Sequence, residues 1–458
     1  MFPHMVHILR RQIRTPMDKD PSPRSGSRGE PLRISSGGER RLQELFRTRA
    51  VPDSLQRLVE GYLSRKTGKP WDDAVVVDRI RSAIRAQKGE YWREGSARRI
   101  SYRAGYRVMA YLAYQFPVSF FQTLHLFQDL VRAGLVPAHL RVLDVGTGPG
   151  VVPLALAEWY RRSGAGSAEV FTVEPSDEHR EAFQALVPAF AGDVDRVRIH
   201  LPIPREIQEI PSDDLPHQID LLVFSGVLNE IPGLSDRGKA NLVKAAAGSL
   251  APGRIILLVE PADLANSTLL RRVTREMGPL GFHIRGPCVF PWGGPCPARE
   301  CWTFDSRPPI RPTRLMEILS ACGEPYRYLN TDLKYSWAIL QKDGGTGTGL
   351  PIPRVPGARR LSFLSRQKGR RVTVLAAVMS GDLGDRDYHV YKICDGTAAQ
   401  PAYAVIPAHR KKAAAMLARA SYGELLVFSR VLVRHNPQHD ALNLLVDRAS
   451  EVGPPAEV

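Results

Sequence analysis

The first 287 of the 458 residues contain no cysteine. The five present, Cys288, Cys296, Cys301, Cys322 and Cys394, all lie beyond that point. An odd number, with no secretory signal ahead of it, excludes a disulfide scaffold. Long apolar runs are missing too. No stretch approaches the roughly 20 residues needed to cross a bilayer, so a soluble protein with no membrane partner is expected. The start, Met1 to Arg14, lacks an apolar segment followed by a small-residue cleavage site and is not a signal peptide. Cytoplasmic location is the expectation; Arg10, Arg11 and Arg14 leave a mitochondrial presequence, and so the matrix, as the alternative.

What is present is globular: 43% apolar and 24% charged residues. At about 150 residues per domain, the length predicts two or three domains. The net charge is +16 and unevenly spread. Residues 1–50 hold 11 basic and 5 acidic side chains, and residues 351–458 hold 16 and 9, which leaves the middle near neutral. Basic flanks on a near-neutral centre predict a polyanionic partner met by the ends of the chain.

Residues 1–38, rich in Pro, Ser, Gly and Arg, read as a disordered basic tail. From 39 to 135 the apolar period is helical, as in Met109, Leu112, Phe116, Phe120 and Leu124, with Pro117 expected to bend or divide the segment. Tyr102, Tyr106, Tyr111, Tyr114 and Phe121 share that spacing and are expected in the core rather than on a base-stacking surface. From 136 to 342 strands alternate with helices, predicting a Rossmann-like α/β domain with a mostly parallel sheet. A Gly- and Pro-rich linker is expected at 343–358. Beyond it, at 359–450, five short strands with one Ala-rich helix between the third and fourth predict an OB-like β-barrel that binds nucleic acid.

The most informative segment is Arg141-Val-Leu-Asp-Val-Gly-Thr-Gly-Pro-Gly150. An apolar strand ends in Asp144; Gly146, Gly148 and Gly150 then make a turn ahead of a helix, where a Cβ would hinder close approach of backbone to a ligand. A second strand ends in Glu174, placed to accept the hydroxyls of an adenosine ribose. The glycine spacing departs from the dinucleotide fingerprint and resembles the S-adenosylmethionine (SAM) pocket of class I methyltransferases. The fourth strand brings Ser225, Asn229 and Glu230 to the carboxyl edge of the sheet, Ser225 beside the cofactor and Asn229 and Glu230 as candidate catalytic residues. No Asn-Pro-Pro-Tyr follows that strand, so the usual clamp on an exocyclic base amine is missing.

Three cysteines fall within fourteen residues in Gly286-Pro-Cys288-Val-Phe-Pro-Trp-Gly-Gly-Pro-Cys296-Pro-Ala-Arg-Glu-Cys301. Thiolates clustered in one Pro- and Gly-rich loop point to a metal site. Zinc knuckles favour gaps of two to four residues; the gaps of seven and four suit an iron–sulfur cluster better, with zinc as the alternative. The fourth ligand is Cys394 or Cys322. Beside the barrel, Lys368, Arg370 and Arg371, and then Arg410, Lys411 and Lys412, are the candidate RNA contacts.

Together these segments resemble the methyltransferase-like assembly-factor family of the small ribosomal subunit, whose members include mitochondrial and prokaryotic proteins. The matching residues are Tyr111-Leu-Ala-Tyr-Gln-Phe-Pro117, Leu143-Asp-Val-Gly-Thr-Gly-Pro-Gly150, Leu258-Val-Glu-Pro261, Pro287-Cys288, Cys296-Pro297, Cys301-Trp-Thr-Phe304 and Cys394-Asp-Gly396. The resemblance implies a four-iron, four-sulfur (4Fe-4S) cluster held by Cys288, Cys296, Cys301 and Cys394. It also implies binding to small-subunit rRNA, without catalytic power in some members. The stretch from Cys288 to Cys296 departs from the mitochondrial pattern, with Trp292-Gly-Gly and no histidine. Three functions compete: a monomeric SAM-dependent rRNA methyltransferase, a catalytically inert rRNA-binding assembly factor, and a small-molecule methyltransferase with a structural zinc.

Overall fold

The computed structural model describes residues 29–91, 105–324, 326–342 and 355–455. These form two compact units, one running to Leu257 and including Arg307–Leu333, the other made of Leu258–Ser306 and the chain from Lys334 onward.

The first unit begins with five helices, α1 (Ser36–Thr48), α2 (Asp53–Thr67), α3 (Ala74–Tyr91), α4 (Tyr106–Tyr114) and α5 (Phe116–Arg132). The proposed tail ends earlier than 38. The Leu32 amide donates to the Val136 carbonyl at 2.8 Å, and Ser35 caps α1 by accepting from the Gly38 amide. Residues 1–28 and Tyr102 lie outside the described residues. The expected break near Pro117 falls at Gln115, and Pro117 sits in the first turn of α5, where a missing N–H costs nothing. Phe116, Phe120, Phe121 and Leu124 are core residues.

Next come β1 (His139–Val145), α6 (Val151–Ser163), β2 (Ser167–Val173), α7 (Asp177–Ala191), β3 (Val197–Ile199), β4 (Ile219–Ser225) and α8 (Asp236–Ala246). Strand β1 pairs in parallel with β2 on one side and β4 on the other. Continuous apolar runs such as Leu221–Phe224 are buried on both faces, the composition that a helix-covered parallel sheet demands. Strand β5 (Leu250–Pro261) carries the chain into the second unit. There α9 (Leu264–Met277), β6 (Phe282–Gly286), β7 (Asp305–Arg307) and β8 (Leu333–Lys342) follow, after α10 (Arg314–Ser320) of the first unit. The strand order is β3-β2-β1-β4-β5-β8-β6, with β6 antiparallel to β8. This is a doubly wound sheet whose order reverses between β1 and β4, and ligands bind at the carboxyl ends of strands at such a reversal. The expected alternation of strands and helices is present, and the short strand β7 is added to it by pairing with β8.

The C-terminal strands are β9 (Arg371–Val378), β10 (Tyr388–Cys394), β11 (Ala402–Pro407), β12 (Leu425–Asn436) and β13 (Ala441–Leu445), with α11 (Lys411–Arg419) between β11 and β12. Pairing runs β9–β10–β11–β13–β12 and back to β9, with β11 and β13 parallel. That ring is the five-stranded OB barrel expected from the strand and helix order. Its core includes Val374, Tyr391, Ile393, Ala404, Ile406, Phe428 and Leu444. A sixth strand, β14 (Glu451–Gly453), is added to β12. Residues 343–354 of the expected linker lie outside the described residues.

Candidate functional site

The turn after β1 sits at the switch point, and its three glycines all have positive φ, between 57° and 94°. Two are required by packing. A Cβ on Gly146 would lie 2.6 Å from the Val227 side chain, and one on Gly150 would lie 2.3 Å from Val187 of α7. Packing is thus a further reason for glycine at 146 and 150 besides the expected ligand approach; at Gly148 no atom lies nearer than His179 Nδ1 at 3.9 Å. Glu174, just past β2, accepts the Gly148 amide at 2.8 Å and the Ser176 amide at 2.9 Å. It thereby ties the two turns together. Burial works to raise its carboxyl, but His179, with Nδ1 3.6 Å away, and the two amides outweigh it and hold it below the ordinary value.

Asp144 is buried at the end of β1, and its Oδ2 has no partner. Burial raises its carboxyl to about 7, against the pull of the Thr147 hydroxyl and with the Glu174 charge adding to the rise. Beyond β4, Ser225 and Glu230 are half-buried, and Asn229 presents a buried Oδ1 that also lacks a partner. Tyr111 of α4 meets the same group. Its hydroxyl is raised by burial and by the charges of Glu230, Glu174 and Asp144, and its ring lies 5.8 Å from that of His179. Asp144, Glu174 and Glu230 are thus all close enough to Tyr111 for their charges to act on its hydroxyl. Tyr111 and His179 were missed because Tyr111 shares its period with core aromatics and His179 is one residue of an ordinary helix.

Unpaired buried oxygens in a cradle at the carboxyl edge of a sheet are what a polar, hydrogen-bonding ligand requires. With Asp144, Glu174 and Glu230 present, the cradle suits a ligand carrying positive charge. SAM, with its sulfonium, ammonium and ribose diol, fits that donor and acceptor set.

In the second unit, Cys288, Cys296, Cys301 and Cys394 line one pocket together with Arg271 and Arg275. All are free thiols; Cys301 is buried and the others half-buried. The loop that follows β6 packs on the barrel. A Cβ on Gly396 would lie 2.5 Å from Phe290, and one on Gly423 would lie 2.7 Å from the Pro287 carbonyl oxygen. Arg360 stacks over the Trp292 ring at 5.4 Å. Burial pushes the Cys288 and Cys394 thiols up, and the other cysteines of the pocket add to it. Arg275 fixes the loop by donating to the carbonyls of Cys296 and Ala298 at 2.9 and 2.8 Å. Cys322 belongs to the first unit, where its thiol contacts the Leu319 carbonyl at 3.5 Å. Among the described residues, no group of three or more His, Cys, Asp or Glu converges closely enough to hold a single metal ion. With Zn–S near 2.3 Å, zinc would draw its sulfurs to within about 4 Å of one another. Four free thiols share that pocket.

Of the basic residues, Lys368, Arg370, Lys411 and Lys412 are exposed. Arg371 is engaged in a two-pronged bond with Asp447, at 3.0 and 2.6 Å, and Arg410 donates to the Ser450 carbonyl at 3.4 Å. Ser450 Oγ in turn donates to Asp447. Two clusters far apart in sequence thus meet at one end of the barrel.

Residues 105–341 match the family described as mitochondrial small ribosomal subunit Rsm22, and residues 362–455 match the C-terminal domain of DUF8157, a domain of unknown function. No curated protein matches the chain. Among solved structures, magnesium protoporphyrin IX methyltransferase from Synechocystis PCC 6803, with bound SAH, is similar at 14% identity and TM-score 0.31, over 59% of this chain and 99% of that one. The plantazolicin methyltransferase BpumL is similar at 11% identity and TM-score 0.31, over 58% and 98%. The fibrillarin/Nop5p complex is similar at 16% identity and TM-score 0.25, over 45% and 73%.

Proposed function

Because the chain belongs to the Rsm22 family of the mitochondrial small ribosomal subunit, we propose that it is a SAM-binding, methyltransferase-like protein that acts on the rRNA of a small ribosomal subunit. The observation that carries this reading is the cradle at the β1–β4 switch point, where Asp144 Oδ2 and Asn229 Oδ1 are buried without partners. In it Asp144 takes the ammonium of the methionine moiety. Glu174, with two of its four lone-pair sites taken by amides and His179 beside it, turns what remains to the ribose hydroxyls. Bound there, SAM supplies an electrophilic methyl carbon. Asn229 and Glu230 stand at the mouth, where an acceptor's N–H or O–H can be held and its proton taken.

Cys288, Cys296, Cys301 and Cys394 hold a 4Fe-4S cluster on this reading. Three ligands come from the loop and one from the end of β10, so the cluster fastens that loop to the barrel. Lys368, Arg370, Lys411 and Lys412 meet rRNA phosphates, and Arg371 and Arg410 shape the turn between them.

Isothermal calorimetry with SAM tests the pocket: micromolar binding is expected, and no heat at millimolar ligand overturns it. RNA affinity should fall steeply with salt, and the double variant Lys411→Ala, Lys412→Ala should reduce the log–log slope by about 2. A slope unchanged in the variant removes that surface from the reading. The missing base clamp after β4 favours a second reading, an inert factor that holds immature rRNA. A methylation map of rRNA from a deletion strain separates the two, since only the enzyme leaves a site unmethylated.

A further inference from the structure

Arg271 presents a problem that nothing above resolves. It lies on α9, is 3% exposed and belongs to the wall of the cysteine pocket. Its Nη2 donates to the Trp337 carbonyl at 2.8 Å and to the Tyr422 hydroxyl at 2.7 Å, and its Nε approaches the Thr303 hydroxyl at 3.3 Å. All three partners are neutral. Among the described residues no carboxylate pairs with it, and its Nη1 is buried with no oxygen acceptor; the further side chain within reach of the guanidinium is the Cys288 thiol. A guanidinium cannot shed its proton at neutral pH, and a buried, uncompensated charge costs several kcal/mol. Something anionic must face it. The groups that share the pocket wall with it are sulfurs: Cys288, Cys296, Cys301 and Cys394.

We propose that Arg271 is a positioning residue that supplies the counter-charge of a thiolate-ligated anionic centre in the cysteine pocket, with its Nη1 reserved for that centre. This rests on the four cysteines being ligands. Four thiolates around a cubane leave a net negative body, and cluster potentials follow net charge and hydrogen bonds to sulfur. A fixed cation in a dry wall stabilises the more negative, reduced state. Arg275 is a second cation of the wall, but its Nη1 is spent on two loop carbonyls and its Nε on the Arg271 carbonyl, whereas Arg271 keeps Nη1 free of any oxygen acceptor.

The experiment uses the full chain, reconstituted anaerobically with iron and sulfide. Iron and labile sulfide in the unaltered protein come first: if neither is retained, the ligand assignment itself fails. Where the centre forms, Arg271→Gln, Arg271→Lys and Tyr422→Phe are compared by iron content and by the midpoint potential from a dye-mediated titration. The charge-removing Gln variant should make reduction about tenfold harder, 59 mV for a one-electron couple, or lose the centre severalfold faster. The Lys variant should retain the centre and stay closer to the unaltered potential. Tyr422→Phe removes a neutral partner and should leave the potential in place. Equal loss in the Gln and Lys variants would assign Arg271 to shape rather than charge and overturn the proposal. So would a Gln variant with unchanged potential and retention. Should the Gln variant fail to fold, the Lys variant decides: a stable centre at near-normal potential supports the proposal, and loss of the centre sinks it.

Discussion

The two pockets differ in the sign of the ionisable groups they bury: carboxyls in one, a guanidinium in the other. At the β1–β4 switch point, Asp144, Glu174 and Glu230 gather around Tyr111, and the buried Asp144 Oδ2 has no hydrogen-bond partner. In the cysteine pocket a buried guanidinium has, among the described residues, no carboxylate partner. A buried charge or polar atom left without a partner is costly. On the proposed reading the first pocket takes a ligand carrying positive charge and the second an anionic centre. The frameworks differ as well. The first is a turn fixed by side-chain packing and two amide bonds; the second is a loop fastened by aromatic and proline contacts to a barrel.

The largest effect expected is in the second pocket. Serine at Cys301 or at Cys394 should lose most of the iron and sulfide from a centre of about four of each per chain, read by metal analysis. Retention in the Cys394 variant with loss in a Cys322→Ser variant would move the fourth ligand. In the first pocket, the double variant Asp144→Ala, Glu174→Ala removes two charged hydrogen-bonding partners, together worth about 3–6 kcal/mol. Calorimetry should show SAM affinity down by 100-fold or more on that estimate; an unaltered constant breaks the assignment. Smaller effects come from packing. Gly150→Ala drives a methyl against Val187 at positive φ and should cost about 1–3 kcal/mol of stability, read from denaturant midpoints. Gly396→Ala meets Phe290 in the same way and should strain the loop on the barrel.

The smallest effect is a pH dependence. Asp144, raised to about 7 by burial, binds its proton more tightly folded than unfolded. It therefore favours the folded, ligand-free state at pH below 7, and that contribution is lost as pH rises from about 4 through 7. SAM affinity should move oppositely, rising a few-fold from pH 6 to 8 as the carboxylate forms. Asp144→Asn should flatten both trends; a persistent rise would place the titrating group elsewhere.

The sheet and the barrel were legible because their signals are local: apolar runs, turn glycines and the change from a period of 3.6 to one of 2. Asp144, Glu174, Asn229 and the cysteines were legible because their residue types stand out at the ends of strands or in one loop. Arg271 and Tyr111 were not, since an arginine or a tyrosine at helical spacing looks the same whether it faces solvent, core or pocket. The meeting of Arg371 with Asp447 depends on β9 and the turn after β13 closing one barrel, a contact across 76 residues that no local pattern announces. The bond from the Leu32 amide to the Val136 carbonyl is likewise a distant contact.

The amides of Gly148 and Ser176 both donate to Glu174, so the turn after β1 and the turn after β2 are fastened to each other by the protein's own groups. On the proposed reading, a nucleoside held there forfeits little chain entropy to association. Hydrogen–deuterium exchange should find the Gly148 amide slow in the empty protein, and faster once Glu174 can no longer accept it.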